Sequence, residues 1–350
     1  MCIRDSFLGL PVRAAGGHRC GTDATGRSHG GHVPGSTILD MTRPAAVALV
    51  LFAIAAVAGA APDPWQQAAP LSAPRSEVGA ALAGGQIFVV GGFTPAGEGS
   101  SRVDAYSPTT NRWRQAPDLP VATHHPATAG YRGRLYVAGG YGGNGQPLAA
   151  AYVLANGRWS ALPAMPERRA AAGAAFVNGK LYVVGGIVRT DGRRLATKAL
   201  RYDPARRRWT RVPGPTPREH LGVTALNGRL YAVAGRKLGF DTNLGTFEAY
   251  RPGARGWQRL APVPGKRGGT GAAASGKLIV SVGGEEFAGT IRTVFGYDVV
   301  ARRWRRLPDL PTPRHGLGVV AVGNRVHVVA GGTQPGLAGV SGTNEFLTLR

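Results

Sequence analysis

Cysteine is nearly missing from this chain: two occur in 350 residues, Cys2 and Cys20, and none follows. A fold held by disulfides, or a thiolate metal centre in the long remainder, is thereby excluded. Lysine is scarce too, confined to Lys180, Lys198, Lys237, Lys266 and Lys277, so arginine supplies nearly all of a formal charge of +23. Long apolar runs are also wanting; the longest, from Ala45 to about Val57, is too short to span a bilayer comfortably. There is no Walker loop, no helical His-Glu pair and no serine nucleophile elbow. No motif asks for a cofactor, and no metal is placed.

What the chain has in plenty is turn chemistry. Fifty-four glycines and 26 prolines beside 43% hydrophobic residues suit many short strands, so the expectation is an all-β chain. The net charge favours polyanions, but the arginines are spread along the sequence, and a specific nucleic-acid surface is not indicated.

Met41-Thr42-Arg43-Pro44, the apolar stretch and Ala58-Gly59-Ala60-Ala61 have the form of a secretory signal over 41–61, cleaved after Ala60 or Ala61. This predicts a secreted or periplasmic protein with no transmembrane helix after cleavage. Residues 1–40, rich in Gly, His and Arg without periodicity, read as a spurious or disordered extension, and His18, His29 and His32 within it as incidental. The remainder, 62–350, reads as one domain and is expected to be a monomer.

That domain repeats. The tryptophans Trp65, Trp113, Trp159, Trp209, Trp257 and Trp304 are spaced by 48, 46, 50, 48 and 47 residues. Glycine doublets keep the same rhythm at Gly91-Gly92, Gly139-Gly140, Gly185-Gly186, Gly283-Gly284 and Gly331-Gly332, with Gly235-Arg236 in the remaining unit. Tyr106, Tyr152, Tyr202, Tyr250 and Tyr297 each precede a tryptophan by seven. Each unit reads as four strands, the first two joined by a tight turn such as Asn178-Gly179 or Ser275-Gly276. Doublet, tyrosine, tryptophan and a proline-rich link together resemble the Kelch repeat, over about 65–350. The resemblance implies a six-bladed Kelch β-propeller of four-stranded antiparallel blades. The last unit ends on the strand Asn344-Glu345-Phe346-Leu347-Thr348-Leu349, with Phe346 where tyrosine is expected, and lacks a tryptophan strand. Closure of the ring by the N-terminal strand at Trp65 is therefore predicted.

Alternating strand direction puts the glycine-doublet loops and the inter-blade links on one face. In the links, Arg75, Arg169, Arg218, Arg267 and Arg314 recur, with Thr123 in the remaining unit. They are candidates for binding an acidic ligand, although a residue repeated in five blades also suits a scaffold role. Residues that break the repeat, Glu219, Lys237, Asp241 and Glu286 among them, are better site candidates: Glu77, His125 and His220 as acid or base, and His124, His315, Tyr141, Arg236 and Glu285 as ligand contacts. Two functions follow. The first is an exported binding module whose cationic rim takes an acidic glycan, a cell-envelope component or a protein. The second is a carbohydrate enzyme, since the sequence is similar to secreted Kelch propellers that include sialic-acid epimerases and galactose-oxidase-type enzymes. A copper oxidase is the less favoured of these, because the resemblance would require a cysteine cross-linked to tyrosine.

Overall fold

The structure, a computed structural model, describes residues 64–350 apart from Gly192. The expected extension (1–40) and nearly all of the segment before Trp65, including the signal sequence (41–61), lie outside the described residues. No helix among the described residues is long and apolar enough to cross a membrane.

Six sheets of four antiparallel strands make the blades. Blade 1 comprises Gly79–Ala83, Gln86–Val90, Val103–Ser107 and Arg112–Ala116, in that order from the axis outwards. Blades 2 to 5 repeat the plan, their innermost strands being Ala127–Tyr131, Gly173–Val177, Gly222–Leu226 and Gly271–Ser275. Blade 6 takes Gly318–Val322, Arg325–Val329 and Asn344–Thr348 from the C-terminus and its outermost strand, Trp65–Ala68, from the N-terminus. The predicted seam is thus present, with Trp65 opposite Leu347 and Ala68 opposite Asn344. The innermost strands pack side by side around the axis, blade 6 against blade 1 included.

The repeated residues have identifiable tasks. Each tryptophan indole donates to a carbonyl in the link of the blade before it: Trp65 to Pro308, Trp113 to Ala69, Trp159 to Pro117, Trp209 to Pro163, Trp257 to Pro213 and Trp304 to Ala261, at 2.7–3.1 Å. The outer strand of every blade is therefore fastened to its neighbour, which explains why the tryptophan recurs once per unit. The small residue that opens each inner strand permits close approach between blades. A Cβ on Gly271 would sit 2.2 Å from Val319 Cγ2.

Three details of the repeat differ from the sequence reading. The residues that carry positive φ before the loop are Ala234-Gly235 in blade 4 and Ala330-Gly331 in blade 6, equivalent to Gly91-Gly92 in blade 1. Arg236 and Gly332 are consequently the first residues of their loops. The fifth hairpin turns at Gly276-Lys277, between paired Ser275 and Leu278, and only Gly276 has positive φ, the arrangement of a type II′ turn. Finally, Leu347 stands opposite Trp65, and Leu154 opposite Trp159, where Tyr106 stands opposite Trp113. In blade 2 the turn at Asn156-Gly157 is shorter, which shifts Tyr152 to pair with Ala161.

Candidate functional site at the axial mouth

Each inter-blade link ends in a tripeptide that positions the site. Its last residue, Glu77, His125, Ala171, His220, Gly269 or Gly316, has φ between 52° and 66° and turns the chain down into the innermost strand. Their amides form a circle: His125 donates to the Glu77 carbonyl, Ala171 to His125, His220 to Ala171, Gly269 to His220 and Gly316 to Gly269, and Val78 closes it on Gly316, at 2.7–3.2 Å. Four of the six are not glycine, and each holds a left-handed conformation that costs roughly 1–2 kcal/mol. The circle of backbone bonds pins these side chains at the mouth of the axial channel, over a cavity of about 140 Å³.

A second circle is formed by the residues just before: Ser76, His124, Ala170, Glu219, Gly268 and His315. A third is formed by the first loop residues: Phe93, Tyr141, Ile187, Arg236, Glu285 and Gly332. The two are bridged blade by blade, Ser76 with Phe93, His124 with Tyr141 and so on round to His315 with Gly332. Blade 3 contributes only Ala170, Ala171 and Ile187, while the other five supply polar groups, so the site is lopsided.

Within these circles the candidates named from the sequence converge. His125 Nε2 lies 3.0 Å from Glu77 Oε2 and 2.9 Å from His220 Nε2, and His220 Nε2 lies 3.7 Å from Glu77 Oε2. His315 Nδ1 faces two carboxylates, 3.1 Å from Glu77 Oε1 and 3.3 Å from Glu285 Oε2, and its Nε2 donates to the Gln334 carbonyl at 2.9 Å. Arg236 joins Glu219 and Glu285 at 2.9 and 2.7 Å and reaches His220 Nε2 at 3.2 Å. Glu219 also pairs with His220 Nδ1. His124 Nδ1 is 2.6 Å from His125 Nδ1, and the His124 ring is stacked between Phe93 at 3.8 Å and Tyr141 at 5.0 Å.

Burial and these partners set the charges. Burial alone would raise Glu77, but His125, His220 and His315 outweigh it and hold its carboxyl well below the usual carboxylate range. Burial also disfavours charge on His315, yet the Glu77 and Glu285 carboxylates raise its pKa above that of a free imidazole. His220 moves the other way: burial, then Arg236, keeps it neutral. Burial, with His125 beside it, lowers His124 to about 3. Burial raises Tyr141 to about 12 despite Arg193. The mouth thus combines an ionised carboxylate with a neutral imidazole a few ångströms away, an arrangement able to move protons.

The five repeated arginines are elsewhere. Arg75, Arg169, Arg218, Arg267 and Arg314 are at most 1% exposed. Arg75 binds Asp104 and the Gly91 carbonyl, Arg218 binds Glu248 with the Ala232 and Ala234 carbonyls, and Arg314 binds Glu345 and the Val328 carbonyl. Arg169 pairs with Glu167. Arg267 has only neutral acceptors, Gly265, Gly283 and Thr293, and burial lowers it to about 10. The expectation that these five hold a ligand is corrected: they fasten the links to the blades and are closed to solvent. A cationic rim would have to come from other residues, and Arg189, Arg193, Arg194, Lys237 and Arg292 are exposed in the loops of that face. Exposed arginines also line the outer strands, as at Arg112, Arg114, Arg208, Arg303 and Arg305, whereas the innermost circles set three carboxylates against the single guanidinium of Arg236.

Glu219, one of the departures from the repeat read in the sequence, lies inside the cluster beside His220. Sequence reasoning left out Phe93, because a phenylalanine after a glycine doublet carries no chemical signal until its stacking on His124 is seen.

Comparison with known proteins agrees with this architecture. Two segments, 74–120 and 168–216, match the family described as Kelch motif. Kelch-like protein terF of Aspergillus terreus is 31% identical over 241 residues, covering 63% of this chain and 52% of that protein. Human Kelch-like protein 34 is 30% identical over 241 residues, 67% of this chain and 30% of its own length. The chain therefore spans about half or less of these relatives. Among solved structures, that of YjhT superposes with a TM-score of 0.69 over 80% of this chain and 97% of its own, at 16% identity, a likeness of fold alone.

Proposed function

Since the chain belongs to the Kelch-repeat β-propeller family, we propose that its axial mouth is the working site and that it carries out acid–base chemistry on a small polyhydroxyl molecule, in the manner of a sugar epimerase or mutarotase. The observation that carries this reading is the Glu77, His125 and His220 group, brought together from three blades within 3.7 Å. A propeller that only binds has no need of three strained polar residues converging at its axis, with Glu77 and His220 both shifted in protonation. For a cyclic hemiacetal the chemistry is modest. The site takes the proton from the anomeric hydroxyl as the ring C–O bond breaks, and an acid returns a proton to the ring oxygen. The surplus of carboxylates favours a neutral sugar over an acidic one.

The test is mutarotation of freshly dissolved α-D-glucose and of N-acetylneuraminate, followed by NMR. Faster equilibration than buffer is expected, stronger for the neutral sugar, falling about 100-fold or more in His220→Ala. A rate equal to that of buffer for both sugars rejects the reading.

A second reading rests on a separate feature. Phe287 and Leu337, 85% and 59% exposed, are apolar tips of loops in blades 5 and 6. Such residues suit a protein partner, the more general role of a Kelch propeller. Export, expected from residues 41–61, is part of the proposal and is compatible with either reading.

A further inference from the structure

We propose that Glu77, His125 and His220 bind one divalent transition-metal ion of the zinc class. As the cofactor of the site just assigned, this ion rests on that reading; its binding does not. Glu77 Oε2, His125 Nε2 and His220 Nε2 form a triangle with edges of 3.0, 2.9 and 3.7 Å. Donors arranged tetrahedrally at the 2.0–2.1 Å typical of zinc stand about 3.3 Å apart, within that spread, so the ion fits after movements of a few tenths of an ångström. Two imidazoles and one carboxylate are also a donor set that zinc takes at catalytic sites, with a further position open. The three residues line the axial cavity, from which a fourth ligand would come.

The surroundings favour a cation in two further ways. Each ligand is held from behind on its other polar atom: His220 Nδ1 by Glu219, Glu77 Oε1 by His315 at 3.1 Å, and His125 Nδ1 by His124 at 2.6 Å. Such outer partners fix tautomer and orientation, and a carboxylate behind a histidine strengthens it as a donor. Carboxylates also outnumber guanidinium groups here. Glu77, Glu219 and Glu285 are 7%, 2% and 1% exposed and are gathered near the one guanidinium of Arg236. Buried carboxylates crowded in this way suit a divalent ion. Arg236 approaches His220 Nε2 at 3.2 Å. The ion replaces that contact, and Arg236 keeps its two carboxylates.

The experiment uses the whole chain, stripped with a chelator and dialysed. Zinc alone is added, with bound metal read by elemental analysis and calorimetry, and cobalt is then substituted for its visible absorption. One ion per chain is expected, together with the intense visible bands of a four- or five-coordinate cobalt site. Affinity should fall at least 100-fold in His125→Ala/His220→Ala and 10–100-fold in Glu219→Gln. Glu77→Gln, which keeps its shape, stands in if the double variant does not fold. No binding by the wild type overturns the proposal, as does full binding by the double variant. Loss of binding in His18→Ala/His29→Ala/His32→Ala alone also overturns it. Zinc binding without sugar turnover leaves this inference standing and removes the catalytic one. Turnover by a chain that binds no zinc does the reverse.

Discussion

Arg218 and His220 are two residues apart in one link, yet they belong to different regions of the molecule. Arg218 points into its own blade, fully buried on Glu248 and two strand carbonyls, and its counterparts do the same in four other blades. His220 stands at the axis, and its counterparts are Glu77, His125, Ala171, Gly269 and Gly316. The first position answers to one blade, so every blade demands the same residue. The second answers to the six blades jointly, and nothing in the scaffold dictates its identity beyond tolerance of positive φ.

The framework position should therefore be the one that breaks the protein. Arg218→Ala leaves Glu248 buried without its cation and is expected to cost about 3–5 kcal/mol, read as a lowered urea midpoint. Arg267→Ala should cost less, about 1–3 kcal/mol, because it leaves only neutral acceptors unpaired. Equal losses would show that packing of the aliphatic stem, and not the ion pair, dominates this position.

The same contrast explains what the sequence disclosed. Blade number, strand count and the seam at Trp65 were legible because periodic residues carry periodic tasks, such as the six indoles that fasten neighbouring blades. The site was legible only as departures from the period, which singled out Glu77, His125 and His220. Which side chains face solvent was not: Arg75 and Arg114 are both plain arginines in sequence, one closed inside a blade and the other on its outer edge. Register at the one-residue level was hidden too. Ala234 and Ala330 adopt the positive φ that glycine advertises elsewhere, so the neighbouring Gly-Arg and Gly-Gly pairs drew the boundary one residue late.

An intermediate effect is expected where a departure from the repeat falls inside the framework. His327 occupies the inter-blade position held by Phe88, Tyr136, Tyr182 and Tyr231, 1% exposed and stacked on Phe346 at 5.0 Å. Burial lowers its pKa, with Arg325 adding to the effect and the contact with Asn344 opposing it. The unfolded chain then takes up a proton near pH 6.5 that the folded chain refuses. Stability falls as pH drops below about 6.5, by up to ~1.4 kcal/mol per pH unit from this group, until the folded value is reached. His327→Phe should leave the urea midpoint at pH 7.5 little changed and raise it at pH 5. An unaltered difference between the two pH values would assign the acid sensitivity to other groups.

The smallest effect belongs to the perimeter. Arg303 and Arg305 lie exposed on the outer strand of blade 5, remote from the axial mouth. Arg303→Ala/Arg305→Ala should change stability by no more than about 0.5 kcal/mol per site. Sugar equilibration and zinc affinity should stay at wild-type values, since charges this far apart are screened in ordinary buffer. The pair separates two origins of specificity that net charge alone confuses. If removing perimeter arginines weakened ligand binding while Glu77→Gln did not, the working surface would be the outer edge of the ring. The axial group would then be only a buried knot of ion pairs at the centre of the scaffold.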